Sequence, residues 1–138
     1  MPTDTYTYYR EPSTYGETGD EDAVIVPIAG LQYYSYCEED DFYGDVRPKS
    51  LDRLQLIRAP ENKHDANAIE VWFRNGQFKL GFIPAKISKF IAPKMDEGKP
   101  IRAYAISGGT GDSWSVEIAL FGEALVKVPK YIREPVYL

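Results

Sequence analysis

The chain's only histidine, His64, stands directly before Asp65 in the segment ENKHDANAIEV, residues 61–71. An aspartate that orients a histidine occurs in nucleophilic catalysis, but the same pair also occurs in ligand sites and in polar turns before strands. A Ser-His-Asp or Cys-His site needs a nucleophile in a recognised context, and the neighbours Asn62 and Lys63 indicate a turn instead. We therefore expect a protein that is not an enzyme, in which this pair binds a ligand or shapes the turn.

Metal and cofactor sites are also disfavoured by the sequence. His64 and the single cysteine, Cys37, are 27 positions apart, and the acidic run EEDD at 38–41 lacks the alternating ligands and pivot glycine of a calcium loop. The glycine-rich GGTGD at 108–112 is followed by no helix and no Lys-Ser/Thr pair, so it predicts a hairpin turn rather than a phosphate loop. The sequence predicts neither a metal nor a cofactor.

Length and composition predict one domain, since 138 residues are enough to bury a core without disulfides. The lone cysteine excludes an intramolecular disulfide, and the first residues lack the apolar stretch of a signal peptide. The longest apolar run, AVIVPIAGL at 23–31, is much shorter than the roughly 18 residues that suggest a membrane span. We expect a cytoplasmic protein without membrane contact.

Charge is distributed unevenly around a net value of −5. Residues 1–52 hold 3 basic and 12 acidic residues, which gives −9, whereas residues 53–138 hold 13 basic and 9 acidic residues, which gives +4. This asymmetry permits a basic surface on the C-terminal part and an acidic arm or loop elsewhere, although such charges also simply keep a protein in solution.

The residue pattern divides the chain into three parts. Residues 1–22, rich in Thr, Tyr, Glu, Asp and Gly without apolar periodicity, predict a flexible or weakly docked arm. Residues 23–124 contain short apolar runs separated by turn residues, which is typical of a mainly β domain, and residues 125–138 form a tail that could add an edge strand. The predicted strands cover 24–28, 31–37, 52–59, 67–73, 78–83, 100–107 and 113–122, with an acidic loop at 38–50.

Turn and helix signals complete the predicted fold. Asn75-Gly76 accepts the positive φ angles of a type I′ turn, so it predicts a hairpin. In PAKISKFIAPKMDEG, residues 84–98, apolar residues follow helical spacing, Pro84 suits the first turn and Gly98 suits the end, while Pro93 should kink or interrupt the helix. The predicted fold is mainly β: a small, partly closed barrel of the OB or SH3-like kind, with about six strands and one short, kinked helix.

Tyr33 and Tyr34 are adjacent within the predicted strand 31–37, so one should face the core while the other is exposed or covered by a loop. An exposed tyrosine on a small β-barrel is a candidate platform on which a nucleic-acid base can stack. An ordinary tyrosine on a sheet surface accounts for the pattern as well, so the residues alone leave both interpretations open.

Three blocks in a fixed order resemble the HIRAN domain family: IAGLQYYS at 28–35, LQLIRAPENKHDANAIEVW at 54–72, and KLGFIPAKISKFIAPKMDEGKPI at 79–101. The central block is the most specific, because it matches the family pattern Arg-x-Pro-x-Asn-x-x-Asp-x-Asn-Ala-Ile-x-Val. The run Gly-Phe-Ile-Pro at 81–84 matches the family's step into its helix. The resemblance covers about residues 24–123.

The resemblance implies a compact β-barrel of the oligonucleotide-binding type that, in fork-remodelling DNA translocases, captures the 3′-hydroxyl end of single-stranded DNA. It implies that Asp65 accepts a hydrogen bond from the terminal hydroxyl, while Tyr33 and Tyr34 stack on the last nucleotides. Polar and basic groups would hold the DNA backbone. The full set of implied DNA-binding residues is Tyr33, Tyr34, Arg58, Asn62, His64, Asp65, Phe82, Lys86 and Lys89.

Two implied contact positions depart from the family pattern. His64 stands where the DNA-binding members carry a tyrosine, and Gln32 stands where an arginine would contact a phosphate, which weakens the electrostatic part of binding. The leading hypothesis is a non-enzymatic module that binds ends of single-stranded DNA in replication, repair or mobile-element metabolism. The alternative is a protein-interaction or inhibitor module whose acidic arm or loop 38–50 binds a basic protein surface or covers the barrel's own groove.

Overall fold

The computed structural model describes residues 22–34, 36, 39–40, 44–108, 115–129 and 133–135. The strands in these residues are β1 Asp22–Pro27, β2 Glu39–Asp40, β3 Gly44–Asp45, β4 Arg53–Arg58, β5 Ile69–Phe73, β6 Phe78–Phe82, β7 Arg102–Gly108, β8 Val116–Phe121 and β9 Arg133–Pro135. The α-helix, α1, is Ala85–Asp96, and two 3₁₀ helices cover Leu31–Tyr33 and Glu123–Leu125. Within these ranges, no helix has the length and apolar character needed to cross a membrane.

Seven of the strands form one antiparallel sheet in the order β6-β5-β4-β7-β8-β1-β9. Beyond β1 the chain reaches the far edge of this sheet, where Ala29 N donates to Phe82 O at 2.8 Å and Phe82 N donates to Ala29 O at 2.9 Å. This bridge joins the end of β1 to β6 and so closes the six strands β1, β8, β7, β4, β5 and β6 into a ring. The predicted mainly β, partly closed barrel with one helix is confirmed.

The core lies inside this ring because apolar side chains alternate along its strands. In β5, Ile69, Val71 and Phe73 are buried, while Glu70 and Trp72 lie half-buried on the opposite face. Two isoleucines of α1, at positions 87 and 91, pack into the same core cluster. The outer face of β5 is therefore free to carry polar and aromatic groups.

Both predicted hairpins are present. β5 and β6 pair on either side of the turn 74–77, in which Asn75 and Gly76 have φ angles of 62° and 85°. β7 pairs with β8, although most of the connecting GGTGD segment lies outside the described residues, as does Trp114. A register shift follows the pair Trp72–Lys79, so that Gly81 rather than Leu80 lies opposite Val71 and Phe82 lies opposite Glu70. This irregularity decides which side chains of β6 share the outer face with those of β5.

The prediction of a strand at 31–37 is wrong for the residues described there. Leu31–Tyr33 is a 3₁₀ helix that follows Gly30, whose φ of 80° turns the chain. The bridge at Ala29 explains the turn, because the chain has reached the edge of β6 and must leave the sheet to continue. Tyr33 and Tyr34 therefore do not lie on opposite faces of a strand. The segment 38–50, predicted as a loop, contains the paired strands β2 and β3.

The helix continues through Pro93, so the predicted interruption is absent from α1. Pro93 lies near the C-terminal end, where it is exposed and removes one hydrogen bond to the preceding turn. The predicted end at Gly98 is confirmed: Gly98 N donates to Met95 O at 2.9 Å and Lys99 N to Lys94 O at 3.0 Å. These bonds form a Schellman ending, which the φ of 89° at Gly98 permits.

Candidate nucleic-acid interface

The loop 59–68, which connects β4 to β5, presents His64 and Asp65 from a hydrogen-bonded backbone. Asn62 Oδ1 accepts from the backbone N–H of His64 at 2.8 Å and from that of Asp65 at 3.1 Å. A side-chain oxygen that caps two successive N–H groups fixes a tight turn. Asn62 was implied as a DNA contact, but its carbonyl oxygen is directed at the loop's own backbone.

Arg58, at the end of β4, ties this loop to α1. Its Nε donates to Asp96 Oδ1 at 2.9 Å and its Nη2 to Asp96 Oδ2 at 3.1 Å. Nη1 also donates to the carbonyl oxygen of Ala68 at 2.7 Å, and Nη2 to that of Ala66 at 3.0 Å. The hydrogen bonds from Arg58 hold the pKa of Asp96 below its ordinary value of 3.8. The guanidinium thus organises the loop from within the protein.

Asp65 combines a fixed position with remaining capacity to accept a hydrogen bond. It is half-buried, and its Oδ1 accepts from Asn67 N at 2.8 Å. Among the residues that the structure describes, Oδ2 of Asp65 has no hydrogen-bond partner. His64, beside it, is exposed. A carboxylate held through one oxygen can accept a hydroxyl proton on the other.

Tyr34 and Phe82 form a pair of rings that we call the aromatic bracket. Their centroids are 5.9 Å apart and the ring planes meet at 64°. The bridge from Phe82 to Ala29 fixes one ring, and the chain that turns after this bridge delivers the other. Tyr33, next to the bracket, is 76% exposed. Aromatic faces at a barrel surface are suited to stacking on nucleic-acid bases.

A charged group lies within this bracket. The ammonium nitrogen of Lys79 is 4.5 Å from the ring centroid of Tyr34 and 4.5 Å from that of Phe82. Glu70 Oε2 accepts a hydrogen bond from Lys79 Nζ at 3.1 Å, and Glu70 Oε1 accepts one from Trp72 Nε1 at 2.9 Å. Alternation along the hairpin predicts that Glu70, Trp72 and Lys79 share the outer face, but it does not predict that Phe82 joins them. The irregular pairing of β6 decides that.

The bracket and the loop 59–68 lie at the same end of the β5–β6 hairpin. The loop runs directly into Ile69, whose carbonyl oxygen accepts from Ile83 N at 2.9 Å, and Phe82 lies opposite the next residue of β5. Lys86 and Lys89 are exposed on the first turns of α1, which begins shortly after Phe82. The fold therefore gathers the bracket, the loop and two lysines at one end of the barrel. Arg58 also lies at this end, but its guanidinium binds Asp96 and the loop, and the side-chain oxygen of Asn62 likewise binds the loop's own backbone.

The acidic arm and the acidic loop 38–50, on which the alternative protein-interaction hypothesis depends, are separate from these site residues. Residues 1–21 lie outside the described residues, and so do residues 38 and 41–43 of the segment 38–50. A protein contact through the arm or this segment therefore stays a prediction.

Comparison with known proteins agrees with this architecture. A family model described as the HIRAN domain matches residues 22–124. The crystal structure of the HIRAN domain of human HLTF is similar, with a TM-score of 0.57 and 20% identity over 77% of this chain and 80% of that chain. A crystal structure of a protein from Lactobacillus plantarum has a TM-score of 0.59 and 23% identity over 75% of this chain and 97% of that chain. No curated protein matches the sequence.

Proposed function

The chain belongs to the HIRAN domain family, and from this premise we propose that it is a non-enzymatic module that binds single-stranded DNA at its 3′-hydroxyl end. The processes that this activity suits are replication, repair and mobile-element metabolism, all of which produce free 3′ ends. The observation that carries the proposal is Asp65, a half-buried carboxylate held by Asn67 N through one oxygen at 2.8 Å, in a loop that leads into the strand paired with Phe82 of the bracket.

Asp65 would select the end of a strand by charge and by hydrogen bonding. A terminal 3′-hydroxyl can donate its proton to the carboxylate, and hydrogen bonds to charged acceptors are stronger than neutral ones. A 3′-phosphate, or the phosphodiester of a continuing strand, would place a second negative charge against the same oxygen. Recognition of the end then requires no contact with a particular base.

Stacking would supply much of the affinity. Tyr33 offers an exposed ring, Tyr34 and Phe82 offer the bracket, and the exposed imidazole of His64 lies next to Asp65. A base stacked on an aromatic side chain contributes about 1–3 kcal/mol, with little preference for sequence. Binding by these rings is therefore expected to tolerate different terminal bases.

The remaining predicted residues divide into two roles. Lys86 and Lys89, exposed on α1, are the candidates for phosphate contacts. Arg58 and Asn62 are proposed to act indirectly, because their hydrogen bonds hold the backbone that presents Asp65. This division predicts that the lysines, but not the other two, account for the salt dependence of binding.

The test is a fluorescence-anisotropy titration with one short oligonucleotide carrying either a 3′-hydroxyl or a 3′-phosphate. We expect the hydroxyl form to bind about tenfold more tightly, the scale of one charge-assisted hydrogen bond. Asp65→Asn should reduce this preference to near unity, since the amide carries no charge. Equal affinity of the wild-type protein for both ends would contradict the proposal.

Asp52→Asn is the matched control for that substitution. Asp52 Oδ2 accepts from the backbone N–H of Lys49 at 2.8 Å, so it caps a loop in the same manner as Asp65. It precedes β4, whereas the loop 59–68 follows the other end of that strand. The control should retain the preference for the 3′-hydroxyl.

A further inference from the structure

We propose that Lys79 is a positioning residue, which holds the two rings of the aromatic bracket in place for stacking on a base and does not itself contact the DNA backbone. This inference rests on the proposed function and adds a residue to its site. It concerns a lysine of β6 that lies between Tyr34 and Phe82 and is neutralised by Glu70.

The distances show why Lys79 would hold the two rings. Its ammonium nitrogen is equidistant from both, at 4.5 Å from each centroid, while the centroids themselves are 5.9 Å apart. A cation attracts the electron-rich faces of aromatic rings, and this attraction grows when the cation is partly withdrawn from water. The side chain of Lys79 is 22% exposed. One partly buried charge therefore restrains Tyr34 and Phe82 together.

Glu70 explains why this charge would not serve as a phosphate contact. Its Oε2 lies 3.1 Å from Lys79 Nζ, and its side chain is 20% exposed. Its other oxygen accepts the indole N–H of Trp72 at 2.9 Å, which fixes the orientation of the carboxylate. A phosphate oxygen would have to compete with this oriented carboxylate for the ammonium. The pair carries no net charge, unlike the exposed Lys86 and Lys89 of α1.

The position of Lys79 at the bracket is a property of strand pairing. Lys79 lies opposite Trp72, and the register shift beyond this pair sets Phe82 opposite Glu70. Along an extended strand, residues three apart normally point to opposite faces. The irregularity allows Lys79 and Phe82 to meet on the outer face, which brings the cation to the ring.

Two consequences distinguish a positioning lysine from a phosphate contact. Lys79→Met should weaken binding of a 3′-hydroxyl oligonucleotide about five- to tenfold, because the rings lose their common restraint. The slope of log affinity against log salt should not change. Loss of a phosphate contact would instead reduce that slope by about 0.7 for a single strand.

Lys79→Arg supplies the rescue and Lys94→Met the matched control. Arginine retains a cation that can face aromatic rings and a carboxylate, so it should restore most of the affinity. Lys94 is 21% exposed and its Nζ lies 3.2 Å from Glu97, which closely resembles the exposure and pairing of Lys79. It lies in the last turn of α1, and its replacement should leave affinity unchanged.

A measurement without DNA tests the contact itself. Protons held over aromatic faces resonate upfield, so the ε-methylene signals of Lys79 should be shifted upfield while those of Lys94 are not. An unshifted Lys79 signal would overturn the inference, as would a Lys79→Met variant with wild-type affinity or with a reduced salt slope. Failure of the wild-type protein to bind the 3′-hydroxyl oligonucleotide would instead contradict the proposed function. The upfield NMR shift would still decide whether Lys79 holds the rings.

Discussion

Arg58 and Asp96 are 38 positions apart, yet the guanidinium Nε of Arg58 lies 2.9 Å from Asp96 Oδ1. Through this pair the last residue of β4 is bound to the last residue of α1. The same guanidinium donates to the carbonyl oxygens of Ala66 and Ala68, which belong to the loop that presents Asp65. The helix end and the candidate site are thus mechanically connected.

This pair predicts a pH-dependent contribution to stability. Because Arg58 lowers the pKa of Asp96 below 3.8, the folded protein favours the ionised carboxylate more than the unfolded chain does. Its contribution is therefore complete above pH 3.8 and is lost as the pH falls through the lowered pKa. Asp96→Asn should lower the urea midpoint at pH 7, and this difference from the wild-type protein should shrink as the pH is lowered toward 3.

Glu97→Gln is the control for Asp96→Asn, because it removes the same charge from the same end of α1. Glu97 pairs with Lys94 three residues earlier, at 3.2 Å, and its side chain is 51% exposed. Exposed pairs of this kind contribute little to stability. An equal loss of urea stability in both variants would contradict the role assigned to Arg58.

Replacing Asn62 tests how strongly the geometry of the loop 59–68 affects binding. Asn62→Ala removes the oxygen that accepts from His64 N and Asp65 N, which should cost about 1–2 kcal/mol in the free energy of unfolding. The preference for a 3′-hydroxyl should also fall, because Asp65 would no longer be held in one position. Chemical denaturation and anisotropy titration measure the two effects. Asn67→Ala, in the same loop, should cost less, since only the backbone N–H of Asn67 takes part in the turn.

Much of this site can be predicted from local sequence. The spacing of Asn62, Asp65 and Asn67 suits side-chain capping of a turn, and the alternation of β5 assigns its inner and outer faces correctly. These features depend on residues within a few positions of each other. Asn75-Gly76 likewise predicts its hairpin, because the positive φ angles belong to the turn itself.

The features that the sequence does not predict all depend on tertiary pairing. Leu31–Tyr33 has the composition of a strand, but the bridge at Ala29 ends the pairing and turns the chain. The Arg58–Asp96 pair joins elements whose packing cannot be read from either segment. Phe82 reaches the outer face beside Lys79 only through the register shift in β6. Each of these outcomes is decided by a partner distant in sequence.

Adding a side chain at Gly81, next to the bridge that closes the barrel, should cause a large loss of stability. Its φ is 157°, and a Cβ built there would overlap the carbonyl oxygen of Ala29 and lie 2.8 Å from Ile28 Cγ2. Gly81→Ala must therefore shift the strand that forms the closing bridge, at a cost of about 2–4 kcal/mol. Thermal or urea denaturation measures this loss.

Gly76→Ala separates backbone strain from the steric clash. Gly76 also has a positive φ, of 85°, but nothing lies within 4 Å of a Cβ placed there. This variant should lose only about 1–2 kcal/mol, the cost of a left-handed conformation for alanine. A similar loss at both glycines would indicate that the bridge to Ala29 does not constrain Gly81.

Gln32→Arg predicts a gain of DNA affinity from a position that departs from the family pattern. Gln32 is exposed in the 3₁₀ helix immediately before Tyr33. An arginine there could contact a phosphate near the stacked bases, which should strengthen binding and make the salt slope steeper by about 0.7. Gln77→Arg, at the exposed turn 74–77 at the other end of the β5–β6 hairpin, adds the same charge away from the loop 59–68. An equal gain from both variants would show that the added charge acts through net attraction, whereas a gain confined to Gln32→Arg would locate the DNA strand beside Tyr33.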